Sequence, residues 1–220
     1  MKIKNCFEYV KIYICQWNRK HIIMPEQTRK LKNYDFSVIA SNCNGCVICS
    51  DLGVRFNSPT VNLSMSAKDY IKFVTNMEYY LNADIEEKKL SSANYPVGIL
   101  GGDITLHFMH YATFEQAVRK WNQRKKRIRY DNLFFMMTDR DGCTEEDIKT
   151  FNELPFKNKM IFTAKAYPQY KSAVFCEEFK EEKTVPIMSE WRNIKGERLY
   201  DRYFDFVGWF NGNTFESCKI

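Results

Sequence analysis

Apolar and polar positions alternate along this chain with two different periods, and each period marks an element. Phe7, Val10, Ile14 and Trp17 recur at helical spacing, so residues 5–20 are predicted to form an amphipathic helix. Lys4, Lys11, Arg19 and Lys20 supply basic charge around it. Such a helix either docks on the body of the protein, the favoured expectation, or rests on an anionic membrane surface. Phe36-Ser37-Val38-Ile39-Ala40 is a short apolar run that predicts a buried strand, followed by the polar loop Ser41-Asn42-Cys43-Asn44-Gly45. Ser66 with Asp69 marks a helix start, and Tyr70, Phe73, Val74 and Met77 give that helix a buried stripe to about Leu81.

Val97–Leu100 and Ile104–His110 are predicted strands around the turn Gly101-Gly102-Asp103, a hairpin signal. Thr113-Phe114-Glu115-Gln116 is a capping box that opens a helix through Arg127. Leu133–Met137 and Lys159–Thr163 are further core strands. Between them, Thr138-Asp139-Arg140-Asp141-Gly142 is a loop, and Thr144 caps an acidic helix start. Strands and helices in alternation predict an α/β fold: a mixed, mostly parallel sheet flanked by helices, with one hairpin and an N-terminal amphipathic helix. One compact domain over 1–220 is expected; a break near residues 91–95 would give lobes 1–93 and 94–220.

Composition changes this picture little. The formal net charge is +6, too small a surplus to mark a nucleic-acid binder, and no nucleic-acid partner is expected. No run is long and apolar enough for a transmembrane helix, and the first 17 residues make a poor signal peptide. Eight cysteines stand at 6, 15, 43, 46, 49, 143, 176 and 218. Without a signal peptide they are expected as reduced thiols in a cytoplasmic protein, membrane-peripheral if the N-terminal helix touches lipid.

Candidate chemistry falls at the carboxyl ends of the predicted strands, where α/β sheets bind ligands. Cys43 lies at a strand end just before a helix, where a helix N-terminus would lower its pKa and make it a nucleophile. His110 is its expected base, chosen over His107 as nearer the end of its strand; two structural histidines are the alternative. Asp139 and Asp141 flank Arg140 and suit general-base or metal work on a phosphorylated donor, or simple turn chemistry. Asn42, with Asn44 beside it, is placed to stabilise an oxyanion. Arg124 and Arg127, one helical turn apart after Trp121, are placed to hold a phosphate, or to line a solvated helix face. Cys43, Cys46 and Cys49 have metal-ligand spacing but lack a nearby fourth ligand, so packing is the favoured role of Cys46 and Cys49 and no metal is assigned. No phosphate-binding glycine motif is present.

Several segments together resemble a bacterial domain-of-unknown-function family, the one numbered 1919, associated with exopolysaccharide biosynthesis. The resemblance is carried by Phe36–Cys43, Asp51–Val54, Phe56–Thr60, Asp69–Phe73, Tyr95–Gly98, His107–Tyr111, Ala117–Arg129, Asp131–Phe134 and Thr138–Thr144, across about residues 28–170. It implies a cytoplasmic setting in surface-polysaccharide assembly, with a saccharide or sugar-phosphate substrate. The Asn42-Cys43 pair at a strand end is also similar to a loop of a polysaccharide-biosynthesis acyltransferase-like family, which implies acyl transfer to a sugar hydroxyl. The expected functions are therefore a saccharide acyl transferase drawing on acyl-CoA, a glycosyltransferase using a nucleotide sugar, or a non-catalytic accessory protein of the assembly machinery. In the first, Cys43, His110 and Asp139 are the catalytic residues, and Asn42, Asn44, Trp121, Arg124, Arg127, Arg140 and Asp141 bind substrate.

Overall fold

The computed structural model describes residues 2–220, with side chains from Phe7 onward. The chain divides into two compact units. One comprises Met1–Tyr34, Val47–Arg55 and Ile187–Ile220; the other comprises Asp35–Cys46 and Phe56–Pro186.

The larger unit holds the predicted α/β layer. Its sheet has four parallel strands: β1 (Ser37–Ala40), β5 (Leu133–Thr138), β6 (Lys159–Thr163) and β7 (Ala173–Phe175), in the order β1-β5-β6-β7. β1 is buried throughout and β5 over all but its first residue. That explains their unbroken apolar sequences, since a parallel sheet is covered on both faces. The hairpin is part of a separate antiparallel sheet: β2 (Ile85–Glu87), β3 (Val97–Leu100) and β4 (Ile104–His107).

The helices begin where their caps predict. The Ser66 hydroxyl accepts from the Asp69 N–H, that of Thr113 from Gln116 N–H, and that of Thr144 from Asp147 N–H with the reciprocal Asp147 contact. Helix α6 (Phe114–Lys125) and helix α7 (Glu145–Glu153) follow two of these caps. The helix expected from Ser66 to Leu81 is two helices, α4 (Ala67–Thr75) and α5 (Met77–Asn82), parted at Asn76, whose backbone leaves the helical region. Tyr70, Phe73 and Val74 of α4 enter one core with Trp121 of α6, Ile148 and Phe151 of α7, and Ile39, Phe135 and Ile161 of the parallel sheet.

The smaller unit begins with helix α1 (Lys2–Asn18), a π-helical turn (Arg19–Ile23) and helix α2 (Met24–Lys30). Pro25 has no N–H to donate, so the regular α ladder cannot run through this point and the wider turn relieves it. The turn carries Arg19 inward, to 3% exposure. Its guanidinium meets Asp51 at 2.9 Å, Asp201, and the Tyr200 hydroxyl at 3.3 Å. Asp51 also accepts from Arg198 Nε at 2.8 Å and from the Tyr200 hydroxyl at 3.0 Å. Gly196 passes so close to this turn that a Cβ there would lie 2.5 Å from the Arg19 nitrogen. Tyr200, Phe204, Phe206 and Trp209 pack ring against ring beside the ion pairs, with helix α8 (Phe206–Phe210) closing the cluster. The N-terminal helix docks through Cys15 and Asn18 at its end and Arg19 just beyond it, not through the predicted stripe: Phe7, Val10, Ile14 and Trp17 are all exposed.

Candidate functional site

The loop Ser41–Cys43 leaves β1 and turns into helix α3 (Asn44–Asp51), which starts in the larger unit. Gly45 makes that turn tight. A Cβ on it would stand 2.7 Å from Ala40 Cβ and 2.9 Å from Val38 Cγ1, so only glycine lets the first turn of α3 sit on β1. Asn42 fastens the junction. Its side-chain oxygen accepts from the Asn44 N–H at 3.2 Å, and its amide nitrogen donates to Thr138 Oγ1 at the end of β5 at 3.1 Å. It also bonds the Asp141 carboxylate.

Beside this junction runs Val61–Ala67, whose residues alternate strictly between buried (Val61, Leu63, Met65, Ala67) and half-buried (Asn62, Ser64, Ser66). From Leu63 to Ser66 this is the burial of an extended segment with one face on the core; Asn62, at φ 63, bends the chain into it. Group after group takes its place along it. Tyr111 donates to the Val61 carbonyl at 2.8 Å, and Arg124 reaches the Tyr111 hydroxyl at 2.5 Å. The Cys46 thiol lies 3.6 Å from Asn62 Oδ1, and the Cys43 thiol 3.8 Å from the Leu63 carbonyl. Ser64 pairs with His107 through two backbone bonds of 2.9 Å, Met65 N–H bonds the Ser41 carbonyl, and Ala67 N–H bonds the Asp141 carbonyl. The segment thus orders a row: Arg124 and Tyr111, then Cys46 and Cys43, then His107, then Asp141.

The two thiols are electrostatically unlike. The Cys46 thiol, which donates to the Cys43 carbonyl at 3.1 Å, is lowered first by its contact with the Cys43 side chain; Asn62 and the Arg124 charge add to this against the cost of burial. The expectation that a helix N-terminus makes Cys43 the acidic thiol is opposed by its surroundings, since contact with Cys46 and burial both raise it. Asp141, in the left-handed region at φ 58, has its carboxyl raised by burial, with Arg140, His107 and Asn42 opposing. Tyr111 is raised by burial against the opposing Arg124 charge.

Other expected site residues lie elsewhere. β4 ends at His107 itself, so the chain has left the strand by His110, which is exposed; His107 is the histidine within electrostatic reach of Asp141. Asp139 is buried and spends both carboxylate oxygens on backbone, accepting from Ala164 N–H at 2.7 Å and Val185 N–H at 2.8 Å. Arg140 donates to the Val185 carbonyl at 3.3 Å. Trp121 is 1% exposed and packs edge-on against Phe73 in the core. Arg127 is half-buried near the end of α6, whereas Arg124 turns inward over the Phe56 ring. Cys46, His107, Tyr111 and Asn62 join the site without having been assigned to it from sequence. The alternating run Val61-Asn62-Leu63-Ser64-Met65-Ser66 was the signal that could have found their common support.

Among the described residues no three His, Cys, Asp or Glu side chains gather as metal ligands. In the smaller unit a cavity of about 160 Å³ is lined by Arg19, Asp51, Asp201 and Asp205 among aromatic and aliphatic side chains. Those charged groups bond one another or backbone, which suits a structural role. No helix among the described residues is long and apolar enough to cross a membrane.

The family model described as Domain of unknown function (DUF1919) matches residues 14–211, and the chain belongs to that family. It is 43% identical over 207 residues to an uncharacterized protein of Haemophilus influenzae, across 94% of this chain and 98% of the relative. Neither description assigns an activity.

Proposed function

We propose that this DUF1919 protein is a cytoplasmic transferase of surface-polysaccharide assembly that passes an acyl group through a thiol to a saccharide hydroxyl. The observation that carries the reading is the thiol pair Cys43–Cys46, one turn apart at the start of α3 with the Cys46 thiol 3.1 Å from the Cys43 carbonyl, held beside Arg124 at the carboxyl end of the parallel sheet. A thiolate is the nucleophilic form of cysteine, and a neighbouring donor or cation favours it. The polysaccharide setting rests on the sequence resemblance alone.

In this reading the Cys46 sulfur attacks the carbonyl carbon of an acyl thioester, and the donor's thiol leaves. The acyl group then sits on Cys46 as a thioester. A saccharide hydroxyl gives its proton to His107 as its oxygen attacks that carbonyl, and the Cys46 thiolate is released. Asp141 lies within electrostatic reach of His107. Arg124 supplies positive charge near the sulfur when the attack builds an oxyanion.

A nucleotide-sugar glycosyltransferase is the second reading, favoured by Asp139-Arg140-Asp141 at the end of β5. It is weaker because both Asp139 oxygens already accept backbone hydrogen bonds. A non-catalytic accessory role is the third.

Incubation with acetyl-coenzyme A followed by intact-protein and peptide mass spectrometry tests the first reading. One acetyl group is expected on Cys46 in the wild type and none in Cys46→Ala, with transfer to an added oligosaccharide lost in His107→Ala. Undiminished transfer by Cys46→Ala defeats the thiol mechanism. Manganese-dependent binding of UDP-glucose in calorimetry, without acetylation, would install the second reading instead.

A further inference from the structure

We propose that the outer face of α1 lies on the headgroup surface of an anionic lipid bilayer. Six apolar or aromatic side chains, Phe7, Tyr9, Val10, Tyr13, Ile14 and Trp17, stand between 39% and 73% exposed. At about 100° per residue they occupy one sector of roughly 160° on the helix. A contiguous apolar face of that width marks an interaction surface, unlike scattered single exposed residues.

The opposite side of the helix is fixed. Cys15 is fully buried and its thiol donates to the Asn193 carbonyl at 3.3 Å. Asn18 donates to the Ile194 carbonyl at 2.7 Å, and Arg19 is held by the Asp51 and Asp201 carboxylates. Gly196 lies against the backbone of Cys15 and Arg19, where a Cβ would be 2.8 and 2.5 Å away. The helix is therefore clamped at its C-terminal end, which fixes its rotation and leaves its apolar sector pointing outward.

Chemistry selects the occupant. Three of the six face residues are Tyr or Trp, whose amphipathic rings favour the headgroup level of a bilayer. Residues 1–20 hold Lys2, Lys4, Lys11 and Lys20 against the one acid Glu8, Arg19 being neutralised within the fold. Exposed Lys11 and Lys20 lie on opposite margins of the apolar sector, where they can meet anionic headgroups. A second protein copy would bring the same positive charge to the contact, so like charge opposes that occupant. No described helix can span the membrane, so the helix lies in the interface plane.

Sedimentation of the full chain with lipid vesicles tests this. Vesicles of phosphatidylcholine containing phosphatidylglycerol should carry the protein down, and pure phosphatidylcholine vesicles should carry much less. Raising the salt should release it. Lys11→Ala and Lys20→Ala should each weaken binding roughly fivefold. Tyr13→Glu with Trp17→Glu should abolish it while leaving the thermal midpoint unchanged, since both side chains are exposed. Anionic vesicles should also blue-shift the tryptophan emission, and Trp17→Phe should remove that shift, because Trp121 and Trp209 are core residues and half-buried Trp191 is stacked under Arg198. Equal sedimentation of wild type and the double glutamate variant overturns the proposal. So does a dimer in light scattering that the same variant dissolves, since a second copy would then cover the face.

Discussion

The Cys46 thiol donates to the Cys43 carbonyl at 3.1 Å, and contact between the two side chains favours charge on Cys46 and opposes it on Cys43. The pair stands three residues apart at the start of α3, and each sulfur also faces the segment Val61–Ala67.

Alkylation by iodoacetamide, read by peptide mass spectrometry against pH, should therefore modify Cys46 with a midpoint lowered to about 7. An unperturbed thiol has a midpoint near about 8.5. Cys43→Ala removes the side-chain contact, so the Cys46 midpoint should rise. A wild-type midpoint at the ordinary thiol value would dissolve the pairing.

Gly45→Ala should disturb the same pair from a distance. The new methyl meets Ala40 Cβ at 2.7 Å and Val38 Cγ1 at 2.9 Å, and neither belongs to a long side chain that can swing aside. Overpacking of this kind costs about 1–3 kcal/mol. Urea denaturation should show that loss, and the Cys46 alkylation midpoint should move with it as α3 lifts from β1.

Asp139→Ala separates structural from chemical carboxylates. It strands the buried N–H groups of Ala164 and Val185, at about 1–3 kcal/mol for each unsatisfied group. Loss of stability in denaturation, with acetylation of Cys46 retained under conditions where the variant is folded, is expected. Intact stability would mean that water meets both groups. Asp141→Asn, which tolerates the left-handed backbone at φ 58, should do the reverse, sparing stability and slowing transfer to saccharide.

Asp51→Ala should be among the most damaging substitutions in the smaller unit. Asp51 is 7% exposed and accepts from Arg19, Arg198 and Tyr200, so its removal leaves buried cationic donors without their acceptor. Breaking a buried ion pair this way costs about 3–5 kcal/mol. The urea midpoint measures it, and a change within error would reassign Asp201 as the principal partner of Arg19.

Much of the fold was legible because its signals are local. The Ser66, Thr113 and Thr144 caps and the apolar runs of β1, β5 and β6 need only neighbours in sequence to be recognised. The break at Asn76 was hidden inside a continuous apolar stripe from Tyr70 to Met77. β2 and β7 were missed because each is a three-residue edge strand whose pairing is decided by its partner. At the site, Asn42 and Cys43 were found from their place after β1. Cys46 was set aside because i, i+3 spacing alone does not distinguish packing from a contact that favours charge. His110 was preferred to His107 because the strand was expected to run three residues beyond its actual end.

The alternation along Val61–Ala67 has an engineering consequence. Its inward residues answer to the core and its outward ones, Asn62, Ser64 and Ser66, answer to whatever occupies the row beside them. Ser66 caps α4 and Asn62 holds a left-handed backbone, so reactivity can be rewritten at Ser64 while the scaffold is left alone, as one tooth of a rack can be recut without moving its bar. Inserting a single residue within the segment would do the opposite: it would exchange the two faces and put serines and asparagine into the core.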